Sequence, residues 1–173
     1  MKLLVTESFT DLLERELTQA GRREIGGVLL GERVSAGVFR ITDASVQRSG
    51  GSATHFVREL EPHRTFVEAF LDRTGRDYSR FNYIGEWHSH PTVAPLPSFA
   101  DIVSMQSIVE DEAVNAGFAL LVIARRHFLG RLELSASVFR QGDEARFVNL
   151  APCPSDSTPA AFRSAPLRKR FWI

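Results

Sequence analysis

Cysteine is nearly absent: Cys153 is the only one in 173 residues, so no intramolecular disulfide can form and a cysteine-built zinc site is excluded. It lies between Pro152 and Pro154, outside any periodic segment, and reads as an incidental thiol. Long apolar runs are missing too, since none approaches the roughly 20 residues that a membrane helix needs. The opening Met-Lys-Leu-Leu-Val turns polar at Thr6-Glu7-Ser8, too early for the apolar region of a signal peptide. Nor is there an excess of either charge. Lys plus Arg number 21 and Asp plus Glu number 21, which leaves no overall field to draw in DNA or an anionic membrane. Together these absences predict a cytoplasmic protein that acts on neither nucleic acid nor membrane.

The composition that remains, 43% hydrophobic and 24% charged, is that of an ordinary globular chain, and the length suits one domain. Residues 7–20 place Phe9, Leu12, Leu13, Leu17 and Ala20 at helical spacing, with Gly21 as a stop. Residues 25–31 form a short apolar run bounded by glycines, which predicts a buried strand. Residues 37–47 alternate as a second strand, with a turn over Glu32 to Ala36 between them. Arg48 to Ala53 is rich in Gly and Ser and predicts a loop. Pro62 is placed to open a helix running to about Arg73, with Phe66, Val67, Phe70 and Leu71 as its apolar stripe. Residues 82–87 predict a strand, Ser98 to about Asn115 a helix, 118–124 and 131–140 further strands, and 145–150 an edge strand. The prolines within Thr92 to Pro97 exclude regular helix there.

From Ala151 the character changes. Four of the eight prolines lie at 152, 154, 159 and 166, and the chain runs into the basic-aromatic hexamer Arg168 to Ile173. The expected organisation is a domain over 1–150 followed by an extended Pro-rich tail over 151–173. The hexamer could dock on the domain or on a partner. The fold class expected is α/β, a mixed β-sheet flanked by about three helices.

The stretch that carries chemistry is His88-Ser89-His90, then seven residues, then Ser98-Phe-Ala-Asp101. Side chains two apart on a strand point to one face, so His88 and His90 can bring two imidazoles to one point. Zinc takes imidazole nitrogen and carboxylate oxygen, and a catalytic zinc keeps three protein ligands beside a water. Asp101 supplies the carboxylate, one helical turn after Ser98. Each fragment has a plainer reading: Ser98-x-x-Asp101 is also a capped helix start, and a His-x-His pair is often a surface feature. The combination, with a proline-bent spacer, favours a metal site. His55, His63 and His127 lack such spacing and read as surface or structural residues.

This pattern resembles the JAMM metallopeptidases, also called JAB or MPN-plus. Their signature is an upstream Glu, a His-Ser/Thr-His-Pro segment, a seven-residue gap, then Ser-x-x-Asp. Glu24-Ile-Gly-Gly-Val-Leu-Leu-Gly31 fits the upstream part, and the likeness extends over roughly residues 5–140. The resemblance implies a cytidine-deaminase-like sandwich, one Zn2+ per chain on His88, His90 and Asp101, Glu24 as general base and Ser98 as donor to the oxyanion. Glu32 and Glu86 compete with Glu24. Glu86 stands two residues before His88 on the same face, where the family has Trp in Gly-Trp-Tyr-His, and it could orient a ligand.

The likeness is to short, stand-alone bacterial members encoded beside ubiquitin-like conjugation enzymes in antiviral defence operons. It implies an isopeptidase that cleaves after the C-terminus of a ubiquitin-like protein, releasing it from a target or trimming a precursor. The implied partners are that modifier, its conjugates and the activating and conjugating enzymes of the same operon. A loop around 48–60 would grip the substrate tail in an extended form. The alternatives are a hydrolase of sulfur-carrier or small amide substrates, a non-catalytic scaffold and a DNA-repair-linked relative. The last is disfavoured by Ser89, where that branch carries Asn, and by the neutral charge.

Overall fold

A computed structural model describes residues 1–48, 60–112, 114, 116–127 and 130–153 of the chain. Among these the order is β1 (Lys2–Thr6), α1 (Glu7–Ala20), β2 (Gly26–Ser35), β3 (Val38–Ala44), α2 (Leu60–Arg73), β4 (Phe81–Ser89), α3 (Phe99–Glu110), β5 (Ala119–Arg126), β6 (Leu132–Phe139), β7 (Arg146–Phe147) and β8 (Asn149–Cys153). The strands form one mixed sheet in the order β7-β6-β5-β4-β2-β3-β1-β8. Neighbours β4 and β5 run parallel, as do β1 with β3 and with β8, while the remaining pairs are antiparallel. This is the mixed α/β arrangement expected from the sequence.

The helices divide between the two faces. On one, Phe9, Leu13 and Leu17 of α1 recur at four-residue intervals and pack with Leu3, Phe39, Ile41, Trp87, Val122, Ala136 and Val138. Strands from both ends of the sheet thus meet one helix, and the sheet curls around it. Truncating Leu13, which is wholly buried, to alanine would cost about 2–5 kcal/mol. On the other face, α2 sets Phe70 and Leu71 against Leu30, while α3 sets Met105 and Val109 against Ala119, Leu121 and Ile123. Residues of β5 alternate between these two cores, as a strand covered on both sides must.

Element ends have local causes. Gly21 stops α1 at φ 63°, a left-handed conformation that suits glycine, with its N–H donated to Leu17. The turn expected over Glu32 to Ala36 is tighter: β2 runs on through Ser35, and only Ala36 and Gly37 turn before β3. Helix α2 begins at Leu60, two residues before Pro62. The proline sits in the first turn, where its missing N–H has no intrahelical partner to lose. Helix α3 ends at Glu110, short of Asn115, because Asp111 turns extended at ψ 109°. Strand β8 continues to Cys153, three residues past the expected domain end. Residues 154–173, and with them the basic-aromatic hexamer, lie outside the described residues, as do His55 and most of the loop expected to grip substrate.

One irregularity sets the side-chain phase of β4. Leu29 of β2 pairs with Gly85, but Leu30 pairs with Tyr83, so Ile84 is an extra residue on β4. Gly85 adopts φ 146°, and a Cβ there would collide with the backbone of Leu120. Ile84 and Trp87, three apart, consequently both join the α1 core. Glu86 and His88 then fall on the opposite face, the one covered by α2 and α3.

Candidate metal centre

His88 is the penultimate residue of β4, and His90 follows the strand's last residue. Backbone pairing continues past the strand label, since the His90 N–H donates to Ala124 of β5 at 2.9 Å. Both imidazoles therefore face the same way, and both are buried. Asp101 reaches them from the first turn of α3. That turn is held by a reciprocal cap: the Asp101 N–H donates to Ser98 Oγ at 3.2 Å, and the Ser98 N–H donates to Asp101 Oδ2 at 2.7 Å. The capped-helix reading of Ser98-x-x-Asp101 thus holds, and it leaves the Asp101 carboxylate beside both imidazoles.

Donor atoms of three residues converge, each imidazole facing a different oxygen of Asp101. His88 Nε2 lies 3.1 Å from His90 Nε2 and 3.4 Å from Asp101 Oδ1, and His90 Nε2 lies 3.5 Å from Asp101 Oδ2. Among the described residues these three form a cluster suited to a metal ion. Ligands about 2.0–2.1 Å from a tetrahedral zinc stand roughly 3.3–3.4 Å apart, so each separation in this triangle of residues is close to an edge of that tetrahedron. The His90 Nδ1 lies 3.2 Å from the Ala94 carbonyl. A proton on Nδ1, donated to that oxygen, leaves the Nε2 lone pair directed into the triangle. The donor chemistry and the spacing both fit a divalent cation such as zinc.

Electrostatics point the same way. A hydrogen bond with Asp101 raises the pKa of His90 against the effect of burial, helped by the Ala94 carbonyl and the negative charges of Asp101 and Glu24. Burial acts to raise the pKa of Asp101, yet hydrogen bonds with His88 and His90, the charge of His88 and a bond with Ser98 hold it far below the usual carboxylate range. The pocket is one in which positive charge is favoured.

Glu24 is buried just before β2, at 6% exposure. Gly26 pairs with His88, and Ile25 exchanges two hydrogen bonds with Ser89: the Ser89 N–H donates to the Ile25 carbonyl at 2.8 Å, and the Ile25 N–H donates to Ser89 Oγ at 3.0 Å. The same register carried one place further sets Glu24 opposite His90, consistent with its charge acting on that imidazole.

The other candidates separate by position. Glu32, near the far end of β2, is buried between Arg40 and Arg80 and pairs with Phe81, seven residues before His88. That position removes it as a rival base. Glu86 shares the His88 face as expected and is half-buried, and its carboxylate accepts from the Tyr83 hydroxyl at 3.3 Å. His63 is buried and structural: its ring bonds Ser45 Oγ at 2.7 Å and Gln47 Oε1 at 3.0 Å. His127 is partly buried and adjoins the β5–β6 connection. Cys153 lines an apolar groove with Leu132, Leu134 and Leu150, away from the His88–Asp101 cluster. Two contributors escaped the sequence reading. The Ala94 carbonyl leaves no signal in residue type, and the partner of Ser89 lies 64 residues away.

Beside the cluster, Val93, Leu96, Phe99 and Val103 are exposed, Phe99 to 82%. They form an apolar margin along the helix start that carries Asp101.

Residues 6–136 match the family of prokaryotic homologs of the JAB domain. Two curated relatives are each described as "CD-NTase/cGAS isopeptidase". One, from Enterobacter hormaechei subsp. hoffmannii (strain UCI 50), is 30% identical over 144 residues, covering 82% of this chain and 77% of the relative. The other, from Vibrio cholerae serotype O1 (strain ATCC 39315 / El Tor Inaba N16961), is 33% identical over 114 residues, covering 64% and 68%. A solution structure of a Desulfitobacterium hafniense protein is similar in fold, with a TM-score of 0.60 at 15% identity over 88% of this chain and 93% of that one.

Proposed function

The chain belongs to the family of prokaryotic JAB-domain proteins, and from that membership and the cluster's geometry we propose that it is a zinc-dependent isopeptidase. The observation that carries the reading is the triangle of His88, His90 and Asp101, with Glu24 buried in register with His90. His88, His90 and Asp101 would hold the zinc. When bound, zinc polarises a scissile carbonyl and lowers the pKa of a water to about 7. Glu24 takes the proton of the attacking water and delivers it to the leaving amine, a contribution of roughly 10²–10⁴ in rate. Ser98 already accepts the Asp101 N–H, which leaves its own hydroxyl proton to donate to the developing oxyanion, worth about 3–4 kcal/mol. Glu86, braced by Tyr83, is a candidate to tune the site from behind the ligands.

The bond cleaved is an isopeptide between a protein's C-terminal carboxyl and an amine. The sequence resemblance favours a ubiquitin-like modifier as the acyl side. The names of the two relatives favour a CD-NTase/cGAS-type protein as a partner in the conjugate. Either is a macromolecule, and the apolar margin of Leu96, Phe99 and Val103 suits a protein surface better than a small polar amide. A role in antiviral defence, in the cytoplasm, follows from the same likeness. We assign catalysis to the domain that ends with β8 at Cys153 and treat the residues after it as an appendage.

The test uses purified full-length protein. Metal analysis is expected to give one zinc per chain, and incubation with isopeptide-linked conjugates of each type is expected to release the free carboxyl partner. Chelation should abolish release and added zinc restore it. Full zinc occupancy with no hydrolysis of either conjugate would leave a scaffold.

A further inference from the structure

The middle residue of the His-Ser-His segment has no ligand role, yet Ser89 is wholly buried. Its side chain points away from the imidazoles, toward the chain that approaches β2. In an antiparallel ladder the reciprocal bond to the Ser89 N–H would run from the Ile25 N–H to the Ser89 carbonyl. Here the Ile25 N–H goes instead to Ser89 Oγ at 3.0 Å, while the Ser89 N–H reaches the Ile25 carbonyl at 2.8 Å. Both backbone groups of Ile25 are thus fixed by one residue, and Ile25 is 1% exposed, so no water replaces a lost bond. The clamp closes one residue from Glu24 on one strand and one residue from each imidazole on the other.

We infer that Ser89 is a positioning residue whose hydroxyl fixes the approach of Glu24 to the water at the metal centre. This rests on the isopeptidase reading above. The ligands need the strand, and the strand persists without the hydroxyl through the Gly26–His88 pairing and the bond from the His90 N–H to Ala124. Glu24 lies before the first residue of β2, where pairing with β4 has thinned to the Ile25–Ser89 bonds and the other side is held one residue further on, by the Gly26–Gln47 bridge. Alanine at position 89 would leave the Ile25 N–H buried without an acceptor and let the Glu24 backbone drift. Threonine keeps an Oγ in place.

The experiment compares zinc-loaded wild type, Ser89→Ala, Ser89→Thr, Glu24→Gln and the double variant Ser89→Ala/Glu24→Gln. In Ser89→Ala, amide exchange at Ile25 should speed up about tenfold or more, with zinc retained at one per chain. A crystal structure should show the Glu24 carboxylate displaced by about 1 Å with the ligands unmoved, and kcat should fall about 10- to 100-fold with KM little changed. Ser89→Thr should restore the exchange rate and kcat. The double variant should be no slower than Glu24→Gln alone, because the hydroxyl acts through that carboxylate. Loss of zinc in Ser89→Ala, an unmoved Glu24, or a Ser89→Ala effect that adds in full to Glu24→Gln would overturn the inference. A wild-type chain that hydrolyses no conjugate defeats the isopeptidase reading instead, and the exchange and crystallographic results then decide the clamp by themselves.

Discussion

Two buried glutamates lie along the β2 segment, Glu24 just before it and Glu32 within it, and the protein treats them in opposite ways. Glu32 is sealed between two guanidinium groups: Arg80 Nε reaches its Oε1 at 2.7 Å, and Arg40 holds its Oε2. Both oxygens are committed to strong, charge-assisted bonds, and Arg80 is itself stacked over Phe81. Glu24 instead lies in register with His90, and its charge acts on that imidazole. A carboxylate between arginines has its lone pairs spent and its charge neutralised, so it holds strands together. A carboxylate beside a histidine cluster keeps the capacity to exchange a proton. Burial alone therefore does not identify a catalytic acid or base; the chemistry of its neighbours does.

The comparison can be tested at four points. The largest effect is expected from Asp101→Ala, which removes the anion that both imidazoles face. Zinc content should fall well below one per chain, and activity should drop by about 10³-fold or more. Next comes Glu24→Gln. It should retain zinc and lose about 10²–10⁴ in kcat, and unchanged turnover would hand the base role to Glu86. At the other end of the strand, Glu32→Gln should leave kcat of the folded protein within about twofold while costing about 3–5 kcal/mol of stability, read by denaturant titration. A loss of catalysis at constant stability would erase the distinction between the two carboxylates.

The smallest effect is in pH dependence of the metal-free protein. The raised pKa of His90 means that its stabilising contribution is complete below the ordinary imidazole value near 6.5 and is lost as pH rises through the higher folded value. The lowered pKa of Asp101 works in reverse: its contribution is present above 3.8 and disappears only as pH falls far below that. Thermal melts of apoprotein should therefore decline modestly as the pH rises above about 6.5 and stay flat from pH 6 down to about 4 for this pair. Zinc should flatten the alkaline decline, because the cation takes the place of the proton on His90.

Much of this was legible in the residues. The 7–20 helix declared itself by a four-residue apolar period, and His88, His90 and Asp101 by ligand type and spacing. What stayed hidden depended on pairing between distant segments. Strand β1 offers only Leu3 and Val5 as inward positions, too short a pattern to stand out. Strand β8 was masked by Pro152, which reads as a tail residue. It is tolerated because, among the described residues, β8 is the last strand of the sheet and pairs only with β1, where Pro152 lies opposite Val5. The proximity of Glu24 to His90 follows from the Gly26–His88 register, which no spacing along the chain encodes; only the family resemblance suggested it. The Glu86 side was predicted correctly from two-residue periodicity, whereas its Tyr83 partner, three residues away, is brought to the same face by the extra residue in β4.

That extra residue makes the chemistry of β4 a matter of parity. Remove one amino acid between Tyr83 and Glu86, and hydropathy hardly changes, yet odd and even positions trade places. Trp87 would be thrust toward the substrate and His88 driven into oil beside Phe9. Anyone grafting the His-Ser-His segment onto another scaffold must carry the kink along with it, or the imidazoles will arrive on the wrong side of the sheet.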